Sequence, residues 1–148
     1  MTGRGSLDDP VDALVCGGGM AGLCAAASAV EAGARPLVIE KGAEPGGSML
    51  MSGGTIWTAP TMAVMERWVP GGDRTRQRRL VEGLAPGLEW LDSLGVVRTS
   101  PISSDRQVGA EVDTGQLTAR LIAAIESGGG RVRTEVALES IAVDPDGL

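Results

Sequence analysis

Apolar tetrads and amphipathic stretches alternate along the first third of the chain. Ala13-Leu14-Val15-Cys16 is an unbroken apolar run, the mark of a strand buried on both faces of a parallel sheet. After Gly17 to Gly22 comes the stretch Leu23 to Ala32, rich in alanine and closed by Gly33, which predicts a helix and its stop. Pro36-Leu37-Val38-Ile39 repeats the buried-strand pattern and ends at Glu40. Strand, glycine turn, helix and strand in under 30 residues make one right-handed βαβ unit.

Beyond Glu40 the pattern loosens. Lys41 to Thr55 contains Gly42, Gly46, Gly47, Gly53 and Gly54 and reads as a long ordered loop. Thr61 to Trp68 predicts a short helix, stopped before Pro70-Gly71-Gly72. Asp73 is placed to cap a helix running to Leu94, with Leu80, Leu84, Leu88 and Leu91 at near-helical spacing. Pro86-Gly87 is expected to kink or split it. Residues 96–111 combine turn residues with little periodicity and read as mostly irregular. Asp113 or Thr114 caps a last helix, Gln116 to Ser127, whose apolar stripe is Leu117, Leu121, Ile122 and Ile125. Gly128-Gly129-Gly130 ends it.

Arg131 to Val136 alternates as a strand, the third of the parallel sheet, and Leu138 to Val143 starts another. The C-terminal Val143-Asp144-Pro145-Asp146-Gly147-Leu148 is a hairpin turn signal, so the chain is expected to continue past Leu148. Residues 1–10 read as a disordered leader, leaving 11–148 as one unit with a helical excursion over 55–113.

Composition narrows the chemistry. At 148 residues the chain holds about one domain, and its net charge of −6 argues against nucleic acid. No apolar run reaches the ~18 residues of a membrane span, and the N-terminus lacks a signal-peptide core, so a soluble, cytoplasmic protein is expected. Without histidine there is no Ser-His-Asp triad, no HExxH zinc site and no imidazole acid or base. Cys16 and Cys24 fall inside a strand and a helix and read as small buried side chains, so no metal site is expected. Glycine is the positive anomaly: 23 of 148, about twice the usual share of ~7%.

Those glycines carry the candidate chemistry. Gly17-Gly18-Gly19-Met20-Ala21-Gly22 satisfies G-x-G-x-x-G between a strand and a helix, and Glu40 ends the next strand 18 residues after Gly22. Gly17 permits the tight turn, Gly19 lets the main chain approach a pyrophosphate, and Gly22 lets helix and strand pack. The first amides of the helix then face the phosphates, where the helix dipole favours negative charge. Glu40 can accept both ribose hydroxyls of an adenosine and would repel a 2′-phosphate. A tight turn without a ligand is the bland alternative.

In a plain NAD-type unit the second strand feeds a crossover helix. Here it feeds Lys41 to Gly54, whose two Gly-Gly pairs suit backbone running along an extended flat ligand. An NAD-type domain and a cofactor-free scaffold or interaction module remain as alternatives. Glu66, Asp92, Glu111 and Asp113 read as caps and solvated faces, and Arg74, Arg76, Arg78 and Arg79 as the polar side of a helix. No residue is assigned as catalytic.

The stretch from Asp12 to Ala59 resembles the N-terminal part of the FAD-dependent oxidoreductases of the fumarate reductase/succinate dehydrogenase flavoprotein group. Ser52-Gly53-Gly54-Thr55-Ile56-Trp57 is similar to the 3-ketosteroid dehydrogenase branch, and Arg131 to Gly147 to the group's return strand and following hairpin. The resemblance implies that Gly17, Gly19, Met20, Ala21 and Gly22 line the FAD pyrophosphate, and that Glu40 holds the ribose with Lys41 alongside. It implies Gly47 and Ser48 at the phosphates and ribityl chain, and Ser52, Gly53 and Gly54 against the isoalloxazine. Ala137 matches the position whose backbone meets the adenine edge.

Covalent members of the group tether FAD through a histidine, which this chain lacks, so noncovalent FAD is expected. The implied activity is hydride transfer at flavin N5, in dehydrogenation or reduction of a C–C bond next to a carbonyl or carboxylate. The implied substrate is a small ketone, steroid-like or carboxylate compound, and the 148 residues alone are expected to be incomplete and inactive. The expected fold is α/β: a Rossmann-like, glutathione-reductase-type FAD-binding domain with a helical excursion after the second strand.

Overall fold

A computed structural model describes residues 9–142. In chain order its elements are β1 (Ala13–Cys16), α1 (Met20–Glu31), β2 (Pro36–Ile39), β3 (Thr55–Thr58), α2 (Met62–Trp68), α3 (Arg74–Ser93), β4 (Arg98–Ser103), β5 (Val108–Val112), α4 (Thr114–Ser127) and β6 (Arg131–Arg133). A 3-10 turn covers Gly47–Met51. The chain divides into two compact units, Met1–Gly47 with Leu121–Leu148, and Ser48–Arg120.

The first unit is built on a parallel sheet in the order β1-β2-β6, with Val15 paired to Val38 and Val38 to Val132. Parallel strands need crossovers, and α1 supplies the first. Its buried side chains, Leu23, Ala26 and Ala27, repeat at the spacing of one helix face. Alanines there let the helix axis come close to the sheet. β2 is buried at all four positions. β1 departs from the expected burial on both faces: Leu14 is 51% exposed and Cys16 is exposed. The reason is its place in the sheet, since β1 pairs only with β2 among the described residues. Leu37 and Ile39, flanked by strands on both sides, are buried.

Glycines close the lower end of this unit. A Cβ on Gly130 would press on Ile125 Cγ2 at 2.7 Å and Pro36 Cγ at 3.0 Å, and one on Gly128 would overlap Val30. The expected helix stop is therefore also a packing surface. Asp9, within the expected leader, accepts a hydrogen bond from Arg131 at 2.9 Å. The leader's residues 1–8 lie outside the described residues, as does the turn at 143–148. The strand expected from Leu138 is not formed over residues 138–142, and β6 ends at Arg133.

The second unit contains an antiparallel sheet, β3-β5-β4, which corrects the irregular reading of 96–111. Five of the six β4 residues are exposed, so no buried face writes an alternation into the sequence. The strand is fixed by its ladder with β5 and by the turn where Ser104 Oγ accepts from the amides of Arg106 and Gln107. The 55–113 segment thus holds three strands beside its helices. α2 buries Val64 and Met65 with Ala59, and Val81 of α3 packs on that cluster.

Asp73 caps α3 through the Arg76 amide at 2.9 Å, as its position predicts. α3 runs as one helix to Ser93, so the chain is not split at Pro86-Gly87. Both residues are exposed, as is Glu82, whose carbonyl loses its donor to the proline ring. Among the described residues no helix is long and apolar enough to cross a membrane.

Candidate functional site

The end of β1 turns sharply at Gly17, whose φ of +109° suits glycine and whose amide donates to the Ile39 carbonyl at 2.8 Å. Gly19 is the N-cap of α1, and no side chain caps the helix there. The amides of Met20, Ala21 and Gly22 precede the first intrahelical bond, from Leu23 to the Gly19 carbonyl at 2.9 Å. No acidic residue occupies the first turn, so the positive end of the helix dipole is not neutralised by its own chain.

The glycines of this turn serve different needs. A Cβ on Gly22 would overlap the Gly17 carbonyl oxygen and lie 3.2 Å from Val15 Cγ1, so helix and strand contact requires glycine. A Cβ on Gly19 would meet nothing nearer than the Gly46 carbonyl oxygen at 3.9 Å, and its φ of −78° is open to any residue. The fold does not demand glycine at position 19. What remains is room for something outside the chain, as a phosphate cradle requires.

The loop after β2 returns to this turn. The Gly46 amide donates to the Gly18 carbonyl at 2.7 Å, and Gly19 and Gly46 form a parallel bridge. Gly47 follows with φ +54°, its missing Cβ position 3.6 Å from Gly19 Cα. Glu40 lies between the two loops. Its Oε2 accepts from the Gly18 amide at 2.7 Å and its Oε1 from the Gly42 amide at 2.8 Å. The amides of Gly42 and then Gly18 hold its carboxyl below the ordinary glutamate value, with a smaller pull from Lys41.

Beside Glu40 opens a cavity of about 280 Å³, lined by Cys16, Gly17, Ile39, Glu40, Lys41, Val136, Ala137 and Leu138. That is near the lower bound of roughly 300 Å³ for small-molecule pockets, a size for part of a dinucleotide. The 136–138 stretch is pinned there by the Glu135 amide on the Gly42 carbonyl and the Val136 amide on the Glu40 carbonyl, both 3.0 Å. Glu135 takes φ +59°, an uncommon conformation for a non-glycine residue, to make that turn.

One unit therefore gathers Gly17, Gly19, Met20, Ala21, Gly22, Glu40, Lys41, Gly47 and Ala137. Ser48, Ser52, Gly53 and Gly54 belong to the other unit. There Ser52 Oγ donates to the Met49 carbonyl at 2.8 Å and accepts from the Gly54 amide at 3.2 Å. Gly54 has φ +70°, and a Cβ on it would overlap the Val112 carbonyl oxygen, so packing on β5 requires this glycine. Gly53 is open, with Thr55 Oγ1 at 3.9 Å as the nearest atom to an added Cβ. Sequence reasoning missed Gly18, Gly42 and Gly46, and the lining residues Cys16, Ile39, Val136 and Leu138. The run of three glycines was the available signal for Gly18. Among the described residues no three His, Cys, Asp or Glu side chains could hold a metal.

Residues 12–79 match the family described as FAD binding domain. This stretch carries an FAD-binding domain and FAD is its cofactor. The uncapped turn, the glycine that the fold leaves spare at position 19 and the carboxylate at the end of β2 fit its adenosine diphosphate part. No curated protein sequence matches the chain.

Among solved structures the chain is similar to the 3-ketosteroid-Δ4-(5α)-dehydrogenase from Rhodococcus jostii RHA1 in complex with 4-androstene-3,17-dione. The identity is 20% and the TM-score 0.72, over 90% of this chain and 39% of that one. It is similar to a flavocytochrome c3 fumarate reductase in its open conformation, at 22% identity and TM-score 0.69, over 92% and 28% of the two chains. It is similar to L-amino acid deaminase from Proteus vulgaris, at 16% identity and TM-score 0.57, over 97% and 49%. The chain spans less than half the length of each. At these identities the likeness shows the fold, the expected α/β arrangement with a parallel Rossmann-like sheet.

Proposed function

We propose that this chain, which carries the FAD-binding domain pattern over residues 12–79, is the cofactor-holding portion of a flavin-dependent oxidoreductase. The observation that supports it most directly is the turn before α1, where Gly19 is spare for the fold and the helix end has no cap of its own. In this reading the amides of Met20, Ala21 and Gly22, with Gly17 and Gly19 giving access, take the pyrophosphate. Glu40 accepts the ribose hydroxyls with Lys41 alongside, and the Ala137 backbone meets the adenine edge. Gly47 and Ser48 serve the phosphates and ribityl chain, and Ser52, Gly53 and Gly54 the isoalloxazine. These 148 residues hold no histidine for a histidyl tether, which supports noncovalent binding.

FAD, when bound, supplies hydride acceptance and donation at its N5. The protein's share here is placement: backbone donors for the diphosphate, one fixed carboxylate for the sugar and an apolar wall for the base. We infer a substrate of the ketone, steroid-like or carboxylate class, oxidised or reduced at a C–C bond next to that group. The names of the ketosteroid dehydrogenase and fumarate reductase neighbours support this class. No proton donor or acceptor is assigned to a residue of this chain. The free thiols Cys16 and Cys24 suit a reducing compartment, in keeping with a cytoplasmic setting.

Titration of the purified chain with FAD and with NAD tests the reading. Saturable FAD binding, released as free flavin on denaturation, is expected. Preferential NAD binding, or no binding of either, would overturn it.

A further inference from the structure

The carboxylate of Glu40 is gripped from two sides. One amide comes from the turn before α1, Gly18, and the other from the loop after β2, Gly42, at 2.7 and 2.8 Å. A side chain at either glycine would crowd the carboxylate. A Cβ on Gly18 would stand 3.2 Å from Glu40 Cβ, 3.2 Å from Pro45 Cβ and 3.3 Å from Glu40 Oε2, and one on Gly42 would stand 3.3 Å from Glu40 Oε1. Gly18 is itself held from behind, its carbonyl accepting the Gly46 amide at 2.7 Å. Yet Gly18 does not line the cavity beside Glu40, whereas Gly17 and Glu40 do.

Each carboxylate oxygen has two lone-pair directions. Gly18 and Gly42 each take one direction on one oxygen, and the Lys41 amide adds only the smallest pull, so both oxygens keep acceptor capacity for two adjacent hydroxyls. We propose that Gly18 is a positioning residue for ribose recognition: its amide and its missing side chain hold Glu40 so that both oxygens present their free lone pairs to the vicinal 2′- and 3′-hydroxyls of an adenosine diphosphate. The ligand class is thereby a nucleotide with an unmodified ribose diol. This rests on the adenosine seat proposed above. It also gives the middle glycine of the Gly17-Gly18-Gly19 run a task that the turn itself does not.

The test uses ADP and 2′,3′-dideoxy-ADP as probes on the 148-residue chain, with FAD as the reference ligand. The wild type should bind FAD and ADP, and should favour ADP over the dideoxy nucleotide by about tenfold or more, since hydrogen bonds to a carboxylate are the strong ones. Gly18→Ala should weaken ADP by about tenfold and dideoxy-ADP by less than about twofold, collapsing the preference. In a Glu40→Ala background the Gly18→Ala substitution should add little to the loss of ADP affinity, because the carboxylate it positions is gone.

Equal weakening of both nucleotides by Gly18→Ala would show a purely structural glycine and overturn the inference, with FAD binding by the wild type intact. Binding of neither FAD nor ADP by the wild type would overturn the adenosine seat as well. Should Gly18→Ala fail to fold, Gly42→Ala crowds the other carboxylate oxygen and must show the same split between the two nucleotides. If it weakens both alike, the inference fails.

Discussion

Gly19 and Gly22 stand three positions apart on one turn and are glycine for opposite reasons. A side chain at Gly22 would collide with the Gly17 carbonyl oxygen, whereas one at Gly19 would meet only the Gly46 carbonyl oxygen at 3.9 Å. The first is a demand of helix against strand and the second leaves an opening on the helix N-terminus.

Substitution separates the two. Gly22→Ala should lower stability by about 1–3 kcal/mol or more, the usual cost of overpacking, seen as a drop in melting temperature without any ligand. Gly19→Ala should shift stability by no more than about 1 kcal/mol, the scale of an N-cap exchange. Its effect belongs in the FAD titration, as a loss of about tenfold or more in affinity. Unchanged FAD affinity in Gly19→Ala would mean that the phosphates sit elsewhere.

The acid on β2 carries a pH signature. Amides of Gly42 and Gly18 hold the Glu40 carboxyl below its ordinary value of 4.5. A group depressed in this way supports the folded and ligand-bound state above the ordinary value and loses that support only as pH falls through the lowered one. The ratio of ADP to 2′,3′-dideoxy-ADP affinity, in which the titration of the shared phosphates cancels, should therefore stay level from about pH 8 to about pH 4.5 and fall below that. Paired titrations of the two nucleotides across this range check it, and a ratio already declining between about pH 7 and 5 would contradict the amide grip.

The βαβ unit was legible because each of its parts is fixed locally. Two apolar tetrads, an alanine-rich helix with Gly33 behind it and a glycine turn between them leave few other folds. The same holds for Asp73, whose capping role follows from its place before a helical pattern. The hairpin of β4 and β5 was not legible, because β4 buries almost nothing and Pro101 sits within it. Its order comes from backbone pairing, which writes no side-chain pattern. At the site, Gly17, Gly22 and Glu40 could be read from spacing alone. Gly18 could not, since its role depends on Glu40 arriving from 22 residues away with its carboxylate turned inward.

The two thiols should behave differently. Cys16 is exposed and lines the cavity beside Glu40, while burial pushes the Cys24 thiol up and away from reactivity. A thiol reagent near neutral pH should label Cys16 first, and Cys16→Ser should remove the fast phase. FAD at ten times its Kd should slow that phase by about tenfold through mass action. Labelling that ignores saturating FAD would show that the cavity is not the adenosine seat.

α3 holds an internal proline that its surroundings do not require. Pro86 is exposed in the middle of a 20-residue helix and takes no part in the buried set of Gln77, Leu88 and Leu91. Its ring removes one amide donor and crowds the carbonyl four residues before it, at Glu82. Replacing it with alanine restores the donor and the strongest helix former, a difference of about 3 kcal/mol in an isolated helix interior. In the folded chain Pro86→Ala should raise stability by about 1–3 kcal/mol, less than the full value because proline also restricts the unfolded chain. Thermal or urea unfolding of the variant measures it. A stability equal to or below that of the parent would mean that the ring's restriction of the unfolded chain outweighs the helix bond it removes.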